Sequence, residues 1–150
     1  IAPIKTGSGP AVEGDPLLSK DIRFYFQPNS ATLDMQKQEN MQSLAAIKQL
    51  LQVSPGSTVL LRGHVDNSMI SEFRKKGGEG LVKSQALKAV QLSEDRAKEI
   101  RRLLIEKFSI APDRMETFGA GWSEPVNPTA IDDAQREQNR RVEVQWFTLE

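Results

Sequence analysis

Asp66 and Arg96 are the two residues of this chain best suited to hold a small charged molecule. Asp66 closes the run Thr58-Val59-Leu60-Leu61-Arg62-Gly63-His64-Val65-Asp66, apolar at its start and polar at its end. That pattern fits an interior strand delivering its last side chains to a rim. Period two puts Val59, Leu61, Gly63 and Val65 on one face and Arg62, His64 and Asp66 on the other. Arg96 follows Ser93-Glu94-Asp95, where Ser93 reads as a helix N-cap and the two acids complement a positive helix start. In alternating strand-helix folds the loop leaving a strand's carboxyl end feeds the next helix, and ligands favour that rim. Connectivity therefore sets an anion and a cation on one rim. A first-turn arginine opposes the helix dipole, so an anion compensates it: Asp66 in an internal salt bridge, or a ligand carboxylate.

Other chemistry is poorly supplied. With no cysteine and His64 the one histidine, the chain has no disulfide, no thiolate nucleophile and no multi-histidine metal site. His64 and Asp66 could be two ligands of a metal, but no third is evident. Gly119-Ala120-Gly121 lacks the third glycine of a dinucleotide loop and reads as a turn, and no Gly-x-Ser-x-Gly elbow exists. The expectation is a protein that is not an enzyme and takes neither cofactor nor metal. Twenty Lys+Arg cancel twenty Asp+Glu, so no global field favours nucleic acid or an anionic membrane. Arg74-Lys75-Lys76 reads as a solvated loop, with contact to an anionic polymer or a partner protein as the sharper alternative. Trp122 and Trp146 read as packing residues rather than sugar-stacking platforms.

The elements that must position these groups follow from periodicity. At 150 residues, 38% hydrophobic and 27% charged, the chain has the balance of one globular domain. Residues 1–19 hold three prolines and three glycines among small and polar residues and read as a linker or extended segment, with the domain over 20–150. Alternation predicts a strand over 21–26, and apolar spacing predicts a helix over 34–53 with Asp34 as N-cap. Residues 67–91 read as a long irregular insert with a weakly helical piece at 81–90, where Val82, Ala86 and Val90 share a face. A helix from Ser93 to Phe108, a strand over 115–118, a turn-rich loop, a brief helix within 128–139 and a strand over 141–147 complete the order. The sum is β-α-β-α-β-β, an α/β (α+β) two-layer sandwich with helices on a mixed sheet. No apolar run approaches the roughly 20 residues of a membrane-spanning helix. A start at Ile1 rather than Met suggests a piece of something larger, with an anchor or partner domain upstream.

Four segments in order, Gly63-His64-Val65-Asp66, Leu92-Ser93-Glu94-Asp95-Arg96-Ala97, Gly119-Ala120-Gly121-Trp122-Ser123-Glu124-Pro125 and Asn139-Arg140-Arg141-Val142-Glu143-Val144, resemble the peptidoglycan-binding OmpA-like domain. That family includes the carboxy-terminal regions of OmpA, of the Pal lipoprotein and of the stator protein MotB. Phe26-Gln27-Pro28-Asn29-Ser30-Ala31-Thr32-Leu33 resembles the family's first strand-to-helix loop, and the likeness covers roughly residues 21 to 147.

The resemblance implies noncovalent binding of the peptidoglycan stem peptide through meso-diaminopimelate, in the periplasm, as the wall anchor of a larger envelope protein. Membrane association would come only through other parts of that protein. The family's aspartate falls on Asp66 and its arginine on Arg96. A carboxylate there receives the ligand's ammonium, and a guanidinium grips its carboxylate at two points. Leu92, Asn67, Arg140 and the Asn29-Ser30-Ala31 loop complete the implied contacts, with backbone N–H groups of the loop and of the helix start as donors. Of Arg140 and Arg141, one is expected to pack structurally and one to face the rim. Two departures bear on this: Val65 stands where the family has threonine, and Ala89 where it has asparagine. The alternative they favour is a degenerate domain serving as an interaction or homodimerisation module through its insert. An exposed Asp66–Arg96 pair would contribute only about 0–1 kcal/mol to stability.

Overall fold

The computed structural model describes residues 2–3 and 22–148. The expected linker at residues 1–19 lies outside the described residues except for Ala2–Pro3 (β1), which pairs antiparallel with the last strand. Arg23–Tyr25 (β2) buries Phe24 and leaves Arg23 exposed, while Ile22 and Phe26 extend the buried side. The first helix, Gln38–Val53 (α1), has Lys37 at its N-cap position, three residues later than Asp34 predicts. Asp34 instead closes a preceding turn, its Oδ1 accepting from the Gln36 N–H at 2.9 Å, so a side-chain cap formed one turn too early for the helix. Leu44, Ile47, Leu50 and Leu51 face the core; Met41, expected there, is exposed.

Thr58–Gly63 (β3) alternates as predicted, with Val59, Leu61 and Gly63 buried. Beyond it lies the largest departure from the expected order. Ile70–Phe108 (α2) is helical throughout except at Gly78, whose φ of 66° and ψ of −162° divide it into two pieces. The expected irregular insert over 67–91 is therefore mostly helix, and Ser93 is an interior helical residue rather than an N-cap. Its hydroxyl donates to the Val90 carbonyl at 2.7 Å and accepts from the Gly121 N–H at 2.9 Å. Ser93-Glu94-Asp95 imitates a helix start because the serine serves the neighbouring loop. The weak amphipathicity of 81–90 hid the helix: with 93–108 already nucleated by core packing, each residue added backward gains a hydrogen bond without a new nucleus. Ala89 is buried in that extension, while Val90, one of the three residues read as sharing a face, is exposed.

Met115–Gly119 (β4), Asp133–Asn139 (α3, capped by the Asp132 side chain on the Gln135 N–H) and Arg141–Thr148 (β5) complete the chain. The sheet order is β1-β5-β3-β4, with β2 also on β5. The β3–β4 pair is parallel and the other pairs are antiparallel. Val142, Val144 and Trp146 of β5 share one core with Ile47 and Leu51 of α1 and with Ile100 and Leu104 of α2, giving the α/β two-layer sandwich. Among the described residues no helix is long and apolar enough to cross a membrane.

Two glycines let α2 lie close on the sheet beside the site. Gly63 and Gly119 are register partners. A Cβ at Gly63 would stand 1.8 Å from the Ser93 carbonyl oxygen, and one at Gly119 would stand 2.6 Å from the Val90 carbonyl oxygen. Only hydrogen fits at either place.

Candidate functional site

Just beyond β3 the chain enters a cavity of about 670 Å³, open to solvent, in the space between the 27–30 loop, α2, Trp122 and α3. Asp66, Arg96, Asn29, Leu92 and Arg140 line it; Ser30, Ala31 and Asn67 do not. Asp66 is half-buried. Its Oδ1 accepts from the Asn139 amide at 2.7 Å and its Oδ2 from the Ser68 N–H at 3.0 Å. It makes no ion pair with Arg96 or any other described cation. Asn139 is fully buried and held in turn by Asn127, whose N–H donates to Asn139 Oδ1 at 2.8 Å. Asp66 is thus oriented by neutral donors, and no described cation takes up its charge.

Arg96 is mid-helix, not in a first turn, and is fully buried. Its Nε donates to the Ser30 carbonyl at 2.8 Å, Nη1 to His64 O at 2.9 Å and Nη2 to Gln27 O at 3.0 Å. The guanidinium lies over the Phe26 ring, 5.4 Å from its centroid. Burial, and then the nearby Arg140 charge, lower its pKa to about 10, which leaves it cationic at neutral pH. The internal salt bridge is therefore not formed, and the dipole argument for Arg96 fails. The helix-start N–H donors fail for the same reason, since residues 92–96 are helix interior. The Asn29-Ser30-Ala31 loop likewise offers the Ser30 carbonyl to Arg96, while the Ser30 N–H donates to Gln27 O. Asn29 turns the chain at a φ of 56°.

Of the two adjacent arginines, Arg141 is structural: it donates to Glu143, Asn139 O and Glu124 O. Arg140 donates from Nε to Phe26 O at 2.8 Å and from Nη1 to Asp133 at 3.2 Å. Its buried Nη2 has no partner among the described residues. Asn67 turns away, its amide donating to the Pro128 carbonyl. His64 is buried with Nε2 3.0 Å from Glu143 Oε1, and because an ionised carboxylate only accepts, Nε2 carries the proton.

Sequence reasoning missed several cavity residues. Phe73, from the first piece of α2, stacks on Trp122 with centroids 6.1 Å apart, and both line the cavity with Val65, Met69 and Ala89. Lys88 and Arg136 join them, while Arg74, Lys75 and Lys76 do not. Lys88 lies within the piece read as weakly helical, but nothing in the local pattern there turns it towards the strand-exit rim. Asn139 stood within a quoted motif, but its contact with Asp66 spans 73 residues and has no local signature.

A model of the OmpA family matches residues 25–140. The outer membrane protein Omp38 of Acinetobacter baumannii is 22% identical over 125 residues, which are 83% of this chain and 30% of that protein. The chain thus spans under a third of the curated relatives' length. Among solved structures, the peptidoglycan-associated lipoprotein from Burkholderia pseudomallei is 21% identical with a TM-score of 0.67, covering 89% of this chain and 98% of that one. The cell wall anchor of the T6SS from Pseudomonas aeruginosa is 30% identical with a TM-score of 0.55, covering 83% and 75%. The periplasmic domain of Helicobacter pylori MotB (residues 90-256) is 23% identical with a TM-score of 0.56, covering 87% and 71%.

Proposed function

Because the chain belongs to the OmpA family, we propose that it is a noncatalytic module that binds peptidoglycan and anchors a larger protein of the cell envelope in the periplasm. The ligand is the stem peptide, held chiefly by the zwitterionic end of meso-diaminopimelate. One observation carries this reading: Asp66 and Arg96 line a single cavity with opposite charges and are not paired with each other. Two unlike charges kept apart by a scaffold suit a ligand that brings both complements. The ammonium meets Asp66, and the carboxylate lies against the wall backed by Arg96 and Arg140. The related proteins from Burkholderia and Pseudomonas, described as peptidoglycan-associated and as a cell wall anchor, support the same partner.

Charge-assisted hydrogen bonds contribute about 1.5–3 kcal/mol each. A few of them, less the cost of association, give modest affinity for one stem peptide, so anchoring relies on many copies meeting a polymer. The decisive experiment is sedimentation with purified sacculi, joined to calorimetric titration with the tripeptide L-Ala-γ-D-Glu-meso-diaminopimelate. Retention and heat from the wild type, both lost in Asp66→Asn, support the reading. Equal weak retention of both proteins and no heat would favour an interaction or homodimerisation module instead. The apolar Val65 and Ala89 on the cavity wall are what favour that second reading.

A further inference from the structure

The charges around the cavity do not balance by position. Lys88, Arg96, Arg136 and Arg140 line it against only two carboxylates, Asp66 and Asp133. Asp133 is held by Arg140, and Asp66 by neutral donors. Arg96 donates its hydrogen bonds only to carbonyls, and no described carboxylate neutralises it. Lys88, on the second piece of α2, and Arg136, on α3, make no side-chain hydrogen bond or ion pair with any described residue. Both are accessible: Lys88 is exposed and Arg136 half-exposed. A zwitterion is neutral overall, so diaminopimelate's free end placed between Asp66 and the buried arginines leaves the positive excess unchanged. Like charges around a concave wall focus a positive potential that a further anion relieves.

We infer that Lys88 and Arg136 form a second anion subsite that reads an additional carboxylate of the bound peptide, making this chain selective for stem peptides that are not amidated. The inference rests on the stem-peptide reading above. Two free carboxylates could supply the chemistry: the α-carboxylate of the γ-linked glutamate, and the carboxylate at the peptide's C-terminus. Lys88 comes from the helical segment between Asp66 and Leu92, one residue before the buried Ala89 of the cavity wall.

Calorimetric titration at low salt with three peptides tests this: the free tripeptide, its glutamate α-amide and its C-terminal amide. An exposed ion pair of ordinary strength amounts to about two- to threefold in an equilibrium constant, and two multiply to about 5–10-fold. The wild type should bind the free tripeptide about 5–10-fold more tightly than at least one amide, and the amide that loses identifies the carboxylate. In Lys88→Gln/Arg136→Gln that ratio should fall to about one, with the melting temperature held. Asp66→Asn should weaken all three peptides alike. Equal binding of all three by the wild type, or a ratio that persists in the double variant, overturns the inference and leaves the stem-peptide reading intact. No binding of any peptide by the wild type sinks both.

Discussion

Nη1 of Arg96 donates to the backbone carbonyl of His64 at 2.9 Å, two residues before Asp66 on the same strand exit. The helix thereby carries a buried strut into the segment from which the carboxylate projects. The cation and anion of the site are coupled through backbone rather than through each other. Four consequences can be measured.

Arg96→Ala should cost about 3 kcal/mol or more, a fall in melting temperature of roughly 6–12 °C for a domain of this size. Three carbonyls, of Gln27, Ser30 and His64, lose their charged donor. This reverses the sequence expectation of an exposed pair worth little. A thermal melt within about 1 °C of wild type would show that the strut is not structural. Binding loss in this variant is consequently ambiguous, and Asp66→Asn, which keeps an acceptor oxygen for Asn139 and gives up the exposed bond from the Ser68 N–H, should cost about 1 kcal/mol and is the cleaner probe.

Asn139→Ala should reduce stability by about 2–3 kcal/mol, since Asn127 and Asp66 both lose a buried partner. It should also weaken sacculus retention without touching the ligand, because Asp66 loses the donor that aims it. Urea titration and sedimentation on the same preparation check both; unchanged retention would mean that Asp66 needs no such support.

Gly63→Ala should cost at least about 3 kcal/mol or prevent folding, because its Cβ meets helix backbone at 1.8 Å and backbone cannot give way as a side-chain tip can. Gly56→Ala, with nothing within 4 Å, is the control and should change stability by less than about 0.5 kcal/mol. Denaturant midpoints for the pair decide the matter.

Glu143 controls the acid limb. Burial pushes its carboxyl up, but hydrogen bonds from His64 and Arg141, reinforced by their charge, outweigh burial and hold the pKa at about 2. A depressed carboxyl stabilises the fold above its ordinary pKa of 4.5, and that contribution is lost as pH falls towards 2. With 27% of the side chain open to screening by solvent, the contribution at neutral pH is on the order of 1–2 kcal/mol. Glu143→Gln should be less stable than wild type at pH 7, and the difference should shrink between pH 4.5 and about 2. A constant difference across that range would show that the charge contributes nothing.

Most strands and helices were legible because covalent geometry fixes their periods. Val142, Val144 and Trp146 alternate in sequence and are buried together in the structure, and Leu44, Ile47 and Leu51 recur at helical spacing and face one core. What failed was local signal put to non-local use. Ser93 carries the chemistry of a helix cap but bonds to Gly121, 28 residues away, whereas Asp34 misled locally, its side chain closing a nearer turn at Gln36 rather than capping α1. The 70–92 stretch lacked amphipathic pattern because it packs through a narrow stripe that includes buried Ala89, not through a broad apolar face.

Residue order encodes the layered alternation and the strand exit at Asp66, and it supplies one anion and one cation of the kind a zwitterion would need. Tertiary structure alone decided that Arg96 is a buried strut, that Asn139 aims Asp66, and that Lys88 and Arg136 stand unpaired with any described residue around the same cavity. The reason is separation along the chain. The Arg96–Ser30 and Asn139–Asp66 contacts span 66 and 73 residues, and no periodicity within either segment encodes which distant carbonyl or amide will meet a given donor.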